Sequence, residues 1–534
     1  MGSHAIAKKL PTPTSADYVI VGVGTAGALV TKMLSDDMKT SVIALHNDGN
    51  RMKNYFIKYS ENAPFVVASA LFNSPFFQTG ETVLQPNADN RKLMWALGLP
   101  LGGASAINAG AYCRGTNRIY AEWEAIAGKK WSVDRILNIY KELETYTGTT
   151  PNPEFRGVRG PINVLQAHQT RISQIFTNAI ISGAGVPSIL DYNDPLTPIG
   201  ASEQLQYTQR PVSGKFRVSS ATAFLNNKIM TREGIGVGGR KLQVLFEATG
   251  LRTLWNGKTA IGVEYLQDGI VKQVMANKGV IVCAGLFSSA FLMHSGVGPK
   301  EVLKPLNIPV KFDNPNVGKS FADHHRLTLI FSTNPSDSPL EPTDPNNFLN
   351  QIAWLPDPLG DPAQRFFHFV TTNPVPGIAI GLLVLSPPYS RGTITINSSN
   401  PLDPPVFDFG VLSNPQDLQL FQNMLMITLK NINNQLTNNL GYGLLYPDPS
   451  VLNDINTVTA FIKENVASNE HFQSHCRMAP LNQGGVVRNT GEVHGVNKLW
   501  VADDSIVPAC IDGSPMASAY LIGANIAKMI LAKN

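Results

Sequence analysis

An α/β chain is predicted: a Rossmann-like dinucleotide-binding domain joined to an α+β domain built on an antiparallel sheet. Three features predict it. Gly22-x-Gly24-x-x-Gly27 follows the β-branched run at 18–21, and a second glycine-rich stretch spans 101–110. Segments 377–380 and 393–396 alternate or run β-branched, as strands of a half-buried sheet do. The length of 534 residues exceeds what one core fills, roughly 250–300 residues, so more than one domain is expected.

The first motif has the context that a dinucleotide site requires. A strand at 18–21 runs into the glycine turn, 28–34 reads as a helix, and 41–45 reads as a second buried strand. The glycines permit the tight turn, bring backbone N–H groups to a pyrophosphate and let helix pack on strand. An Asp or Glu normally ends the second strand and takes the ribose hydroxyls. Here the strand ends in His46, followed by Asn47, Asp48 and Gly49. Asp48, 21 residues past Gly27, or His46 as a neutral imidazole acceptor, is left to do that work.

Composition excludes several classes. Hydrophobic residues make up 43% and charged residues 15%, the balance of a well-buried globular protein. A formal charge of +4 over this length gives no pull toward nucleic acid or a membrane surface. The four cysteines are far apart with no CxxC pair, against a disulfide framework or zinc site. No run approaches the ~18–20 apolar residues of a membrane span. The first residues lack the basic and apolar regions of a signal peptide, so a soluble, intracellular protein is expected.

Further motifs carry a resemblance over residues 17–531. Gly98-Leu99-Pro100-Leu101-Gly102-Gly103-Ala104-Ser105-Ala106-Ile107-Asn108 is one; Cys283-Ala284-Gly285 followed by Ser295-Gly296-Val297-Gly298-Pro299 is another. Asn314-Pro315-Asn316-Val317-Gly318 with Asp323-His324, Ser390-Arg391-Gly392, Asn400-Pro401, Val493-His494-Gly495-Val496 and Val501-Ala502-Asp503-Asp504-Ser505 follow in order. Together they resemble the glucose–methanol–choline (GMC) flavoprotein oxidoreductases. Asn108-Ala109-Gly110 is close to the aryl-alcohol-oxidase and plant hydroxynitrile-lyase branches.

The resemblance implies FAD, held non-covalently because no residue marks a covalent link. By it, Gly22, Gly24 and Gly27, with Thr25 and Ala26, would hold the pyrophosphate. Ser105, Asn108 and Gly110, with Gly102, Ala109 and Ala111 beside them, would face the flavin ring and ribityl chain. Leu251 would touch adenine through its backbone, Asp503 would approach the ribityl–phosphate region, and Ala284, Pro515 and Met516 would complete the cofactor site. It also implies an FAD-binding domain from about 16–150, 210–320 and 478–534, and a substrate domain from about 151–209 and 321–477. Residues 1–15 would be a tail. The Pro- and Asn-rich stretch 334–362 is expected to line or cover the entrance, and Phe366, Phe367, His368 and Phe369 to form either an aromatic wall or ordinary strand packing.

Removing hydride from an alcohol carbon requires a base for the hydroxyl proton, and a histidine suits it because it titrates near working pH. The family places one five residues before a Cys; His471 and Cys476 keep that spacing. His475 is read as packing. His471 and His475, four apart, suggest a metal site only weakly because the HExxH glutamate is missing, and no metal is expected. The second family position, a His or Asn, is Ser514 here. It can donate a hydrogen bond to a substrate oxygen but cannot act as a base near neutral pH.

Three functions compete. The first is an FAD-dependent oxidase or dehydrogenase of a primary, possibly aromatic, alcohol, with oxygen or another electron acceptor as second partner. The second is an assembly protein, such as a giant-virus-type virion fibre component, with weak or no turnover and a homo-oligomeric state. The third is a hydroxynitrile lyase, disfavoured by the missing second histidine.

Overall fold

The computed structural model describes residues 14–47, 76–209, 217–337, 349–439 and 441–533. Asp48 and all but the end of the tail lie outside the described residues, as do 338–348 of the Pro- and Asn-rich stretch.

Strand β1 (Ser15–Val21), helix α1 (Thr25–Leu34) and strand β2 (Val42–His46) form the predicted strand–turn–helix–strand unit. Helix α1 begins three residues earlier than expected, because Gly24 is already its N-cap. β1 pairs in parallel with β2 on one side and with the end of Ile270–Val282 on the other. Leu242–Phe246 extends the parallel sheet beyond β2, and Leu499–Val501 extends it beyond Val280–Val282. The whole of β2 and residues 18–21 of β1 are buried on both faces, as parallel strands covered by helices are. The closing helix Met516–Leu531 packs against α1; a Cβ on Gly523 would come 3.1 Å from the Ala26 carbonyl oxygen.

A second sheet is antiparallel: His325–Ser332, Ile378–Leu385, Phe367–Val375 and Ile352–Leu355 in that order, with Gly443–Tyr446, Ala467–Ser468 and Gly200–Ser202 at its margins. Leu327, Leu329 and Phe331 alternate into a second hydrophobic core, which includes Phe367, Phe369, Leu383 and Leu385. Two expectations are corrected. Thr393–Thr395 pairs with Val406–Asp408 in a separate two-stranded ribbon, not in this sheet. The stretch 334–362 contains a strand, Ile352–Leu355, four apolar residues buried on both faces.

The second glycine turn is docked on the first. The Gly102 N–H donates to the Val23 carbonyl (2.9 Å), and the Thr25 hydroxyl donates to the Gly102 carbonyl (3.2 Å). Gly103 is left-handed (φ +57°), and a Cβ there would stand 2.9 Å from the Gly24 Cα. Gly285 is also left-handed (φ +55°), but no atom lies within 4 Å of its absent Cβ. Gly285→Ala is therefore expected to cost about 1–2 kcal/mol, the handedness alone. Gly103→Ala adds a backbone overlap and should cost more, measured as the difference in urea unfolding of the flavin-free proteins.

Candidate active site

A cavity of about 1410 Å³ runs from the first glycine turn, past the second, to the face of the antiparallel sheet. At one end lie Gly22, Gly24, Thr25 and Ala26. The N-terminus of α1 has no side-chain cap and no acidic residue in its first turn, so its free N–H groups and positive dipole end suit an anion. The nearest atom to a Cβ on Gly24 would be 4.0 Å away, which leaves the backbone accessible. Gly27 does not line the cavity. Its missing Cβ would overlap the Gly22 carbonyl at 2.1 Å, so its role is to let the turn close on itself.

His46 lines the cavity at the end of β2, together with Leu251. It is buried, edge-on to Phe246 at 6.2 Å, and its Nε2 has no hydrogen-bond partner among the described residues. Burial lowers its pKa to about 4, so it is a neutral imidazole. An unpaired ring nitrogen on a residue that lines the cavity has the chemistry that a ribose hydroxyl would complete.

Asn108, Ala109, Gly110 and Ala111 line the middle of the cavity with Ala284, Asp503, Pro515 and Met516. The Asn108 amide oxygen accepts from the Gly110 N–H (3.0 Å), and its Nδ2 lies 3.2 Å from the Met516 sulfur. The Asp503 carboxylate accepts from the Gly285 N–H (2.9 Å) and the Ser288 hydroxyl (2.7 Å), which fixes the 284–285 turn. Two residues expected at the flavin do not line the cavity. Ser105 is fully buried; its hydroxyl donates to the Gly102 carbonyl (2.7 Å) and accepts from the Ser220 N–H (2.9 Å). Gly102 is turned toward α1, and its neighbour Gly103 lines the cavity instead. Sequence reasoning missed Arg217, whose buried guanidinium donates to the Asn108 side-chain oxygen at 2.9 Å. Lying 109 residues from Asn108, it gives no local signal.

At the far end His471 and Ser514 line the same cavity. The His471 N–H donates to Asp323 Oδ1 (2.8 Å), and its Nδ1 is 2.8 Å from Nδ1 of His324, a residue that sequence reasoning had given no role. His368 stacks on His471 with ring centroids 6.4 Å apart. It is the member of the expected aromatic wall that faces the cavity. Phe367 and Phe369 point into the core because strand side chains alternate, and Phe366 is buried beside Tyr389. Burial holds His471 and His368 well below the usual imidazole range, each lowered further by neighbouring histidines, and burial takes His324 down to about 3. His475 does not line the cavity; its Nδ1 meets the Ser289 hydroxyl at 2.9 Å. Ser474 sits at φ +68°, a left-handed conformation uncommon for a residue other than glycine.

Ser514 is placed by a buried frame. Asp512 accepts from the Thr116 N–H (2.9 Å) and hydroxyl (2.5 Å), and a Cβ on Gly513 would stand 2.7 Å from the Arg114 carbonyl oxygen. Arg114 is held by Glu144 (2.6 Å), which also pairs with Arg156 (2.8 Å). The sheet wall beside His368 carries Ile352, Val370, Leu382 and Val384, with Arg326, Thr328 and Thr372 on the same cavity. Among the described residues no cluster of three or more His, Cys, Asp or Glu could hold a metal ion, and no helix is long and apolar enough to cross a membrane.

A Rossmann turn that opens into a cavity ending at a neutral histidine is the layout of a dinucleotide-dependent oxidoreductase. The chain belongs to the GMC oxidoreductase family, whose N- and C-terminal models match residues 16–326 and 388–523. It is 30% identical to an uncharacterised GMC-type oxidoreductase of Mycobacterium tuberculosis, over 97% of this chain and 99% of that one. It is 28% identical to an oxygen-dependent choline dehydrogenase of Yersinia pseudotuberculosis, over 96% and 93%. Among solved structures it resembles pyridoxine 4-oxidase from Mesorbium loti, with a TM-score of 0.83 at 22% identity over 96% of this chain and 98% of that one.

Among the described residues, burial lowers the pKa of seven histidines: His46, His294, His324, His325, His368, His471 and His475. Each binds a proton more readily unfolded, so lowering the pH below about 6.5 favours unfolding. Asp323, Glu470, Asp503 and Asp504 are raised by burial and act in the opposite direction, but they are fewer. Tm should therefore fall as pH is taken from 7 to 5; scanning calorimetry showing a level or rising Tm would contradict the neutral histidines.

Proposed function

We propose that the protein is an FAD-dependent oxidoreductase that oxidises the CH–OH group of a primary alcohol with an aromatic or otherwise apolar body. The observation that carries this reading is His471, a half-buried imidazole that desolvation keeps neutral, lining the same cavity as the dinucleotide turn. Bound flavin supplies a two-electron acceptor for the hydride. The N-terminus of α1 would take the pyrophosphate, His46 a ribose hydroxyl, and the loops at 108–111, 284–285 and 514–516 the rest of the cofactor, without a covalent link. His471 would accept the hydroxyl proton as the C–H bond breaks, and Ser514 would donate a hydrogen bond to the substrate oxygen. The aliphatic wall of Ile352, Val370, Leu382 and Val384 supports an apolar substrate body, which it would shield from water.

The test is the visible spectrum of the purified protein before and after anaerobic addition of primary alcohols. Bleaching of the flavin band is expected, with a loss of at least 100-fold in rate for His471→Ala. A flavin that no alcohol bleaches would overturn the reading. Because His471 is lowered from the ordinary value, the neutral base persists into mild acid, and the acid limb of the kcat/KM profile should lie below the ordinary imidazole value of about 6.5. A limb at or above 6.5 would exclude this base.

At the adenosine end, His46→Glu restores the acceptor usual at that position. It should slow flavin release on dialysis, followed by absorbance of the retained protein.

A further inference from the structure

We infer that His324, held by the Ile511 carbonyl, fixes the tautomer of His471 so that Nδ1 carries the hydrogen and Nε2 is the one basic nitrogen. His324 is then a positioning residue, and its role in catalysis rests on His471 being the base proposed above.

The hydrogen-bond chain permits one arrangement. The Ile511 carbonyl oxygen has no hydrogen to give and lies 2.8 Å from His324 Nε2, so Nε2–H is the donor there. The Ser386 hydroxyl (3.4 Å) and the Cys510 sulfur (3.5 Å) approach the same nitrogen at longer range and can act as acceptors. His324 is fully buried, and burial holds it neutral, so with Nε2 protonated its Nδ1 is a bare lone pair. Two bare nitrogens do not meet at 2.8 Å; His471 Nδ1 must therefore donate to His324 Nδ1. His471 is neutral too, which leaves its Nε2 unprotonated.

The backbone holds the pair in register. Asp323, next to His324, accepts the His471 N–H, and the Asn469 N–H donates to the His324 carbonyl at 2.9 Å. Ile511 stands three residues before Ser514, so His324 also ties the proton-accepting segment to the segment that carries Ser514. When His471 takes a proton at Nε2, its Nδ1–H bond to His324 becomes charge-assisted and stronger. In this way a neutral neighbour favours both the reactive tautomer and the imidazolium that follows.

The test is ring-nitrogen NMR of the full-length holoprotein with 15N-labelled histidine, the His471 signals assigned by their loss in His471→Gln. A protonated Nδ1 with a bare Nε2 is expected at neutral pH, and the wild-type spectrum alone decides the tautomer. His324→Leu removes the acceptor and should let the Nε2-protonated form appear, with kcat falling at least tenfold and KM moving less than twofold. His324→Asn returns an acceptor oxygen near the Nδ1 position and should recover most of that loss. A wild-type His471 protonated at Nε2, or a tautomer unchanged in His324→Leu, would overturn the inference. The expected spectra in a protein that bleaches with no alcohol would uphold the tautomer while refuting the proposed reaction.

Discussion

Backbone-to-backbone contact between two glycine turns is the constraint on which the site depends. A side chain on Gly22 would overlap the Cys283 carbonyl at 2.4 Å, and one on Gly103 would press on Gly24. Three remote segments therefore meet at main-chain distance at the carboxyl end of the parallel sheet. Main-chain contact has two consequences. It brings N–H groups of α1 to the cavity without a competing side chain. It also aims the 108–111 loop toward Met516 at the start of the closing helix, so that the cofactor end and the histidine end belong to one cavity.

The second organising factor is dryness at the far end. His324, His368 and His471 share a small volume that burial keeps uncharged. A cluster of three imidazoles would repel itself if protonated; kept neutral, it offers lone pairs and N–H groups, and those of His324 and His471 are directed by fixed partners. The same burial raises Asp323 to about 7, yet the carboxyl still accepts the His471 N–H and the Ser468 hydroxyl. Geometry at this end is thus held by hydrogen bonds more than by ion pairs. The charged network of Arg114, Glu144, Arg156 and Asp191 lies behind Ser514 and stiffens the frame.

Much of this could be read from the chain. Tyr18 to His46 announce their structure because glycine, β-branched strand and helix signals are local and agree with one another. His471 and Ser514 could be placed through the spacing of their neighbours. The errors have physical causes. Ser105 stands inside a cofactor-like motif, but a hydroxyl there is better satisfied by the Gly102 carbonyl and Ser220 N–H than by the cavity. Of the two readings of the 366–369 run, strand packing holds for its phenylalanines: alternation sends Phe367 and Phe369 inward and leaves His368 on the cavity side. Ile352–Leu355 escaped notice because four residues amid proline and asparagine carry no period of their own.

The sequence by itself determined the Rossmann unit and the family and singled out His471, since these are written in contiguous residues whose local preferences add up. Only tertiary structure decided what meets each nitrogen of that histidine and what holds it. His324 lies 147 residues from His471, and Ile511 contributes a carbonyl that every residue possesses. A backbone oxygen has no sequence signature; its role exists only where folding places it 2.8 Å from a ring nitrogen that other acceptors approach only at longer range.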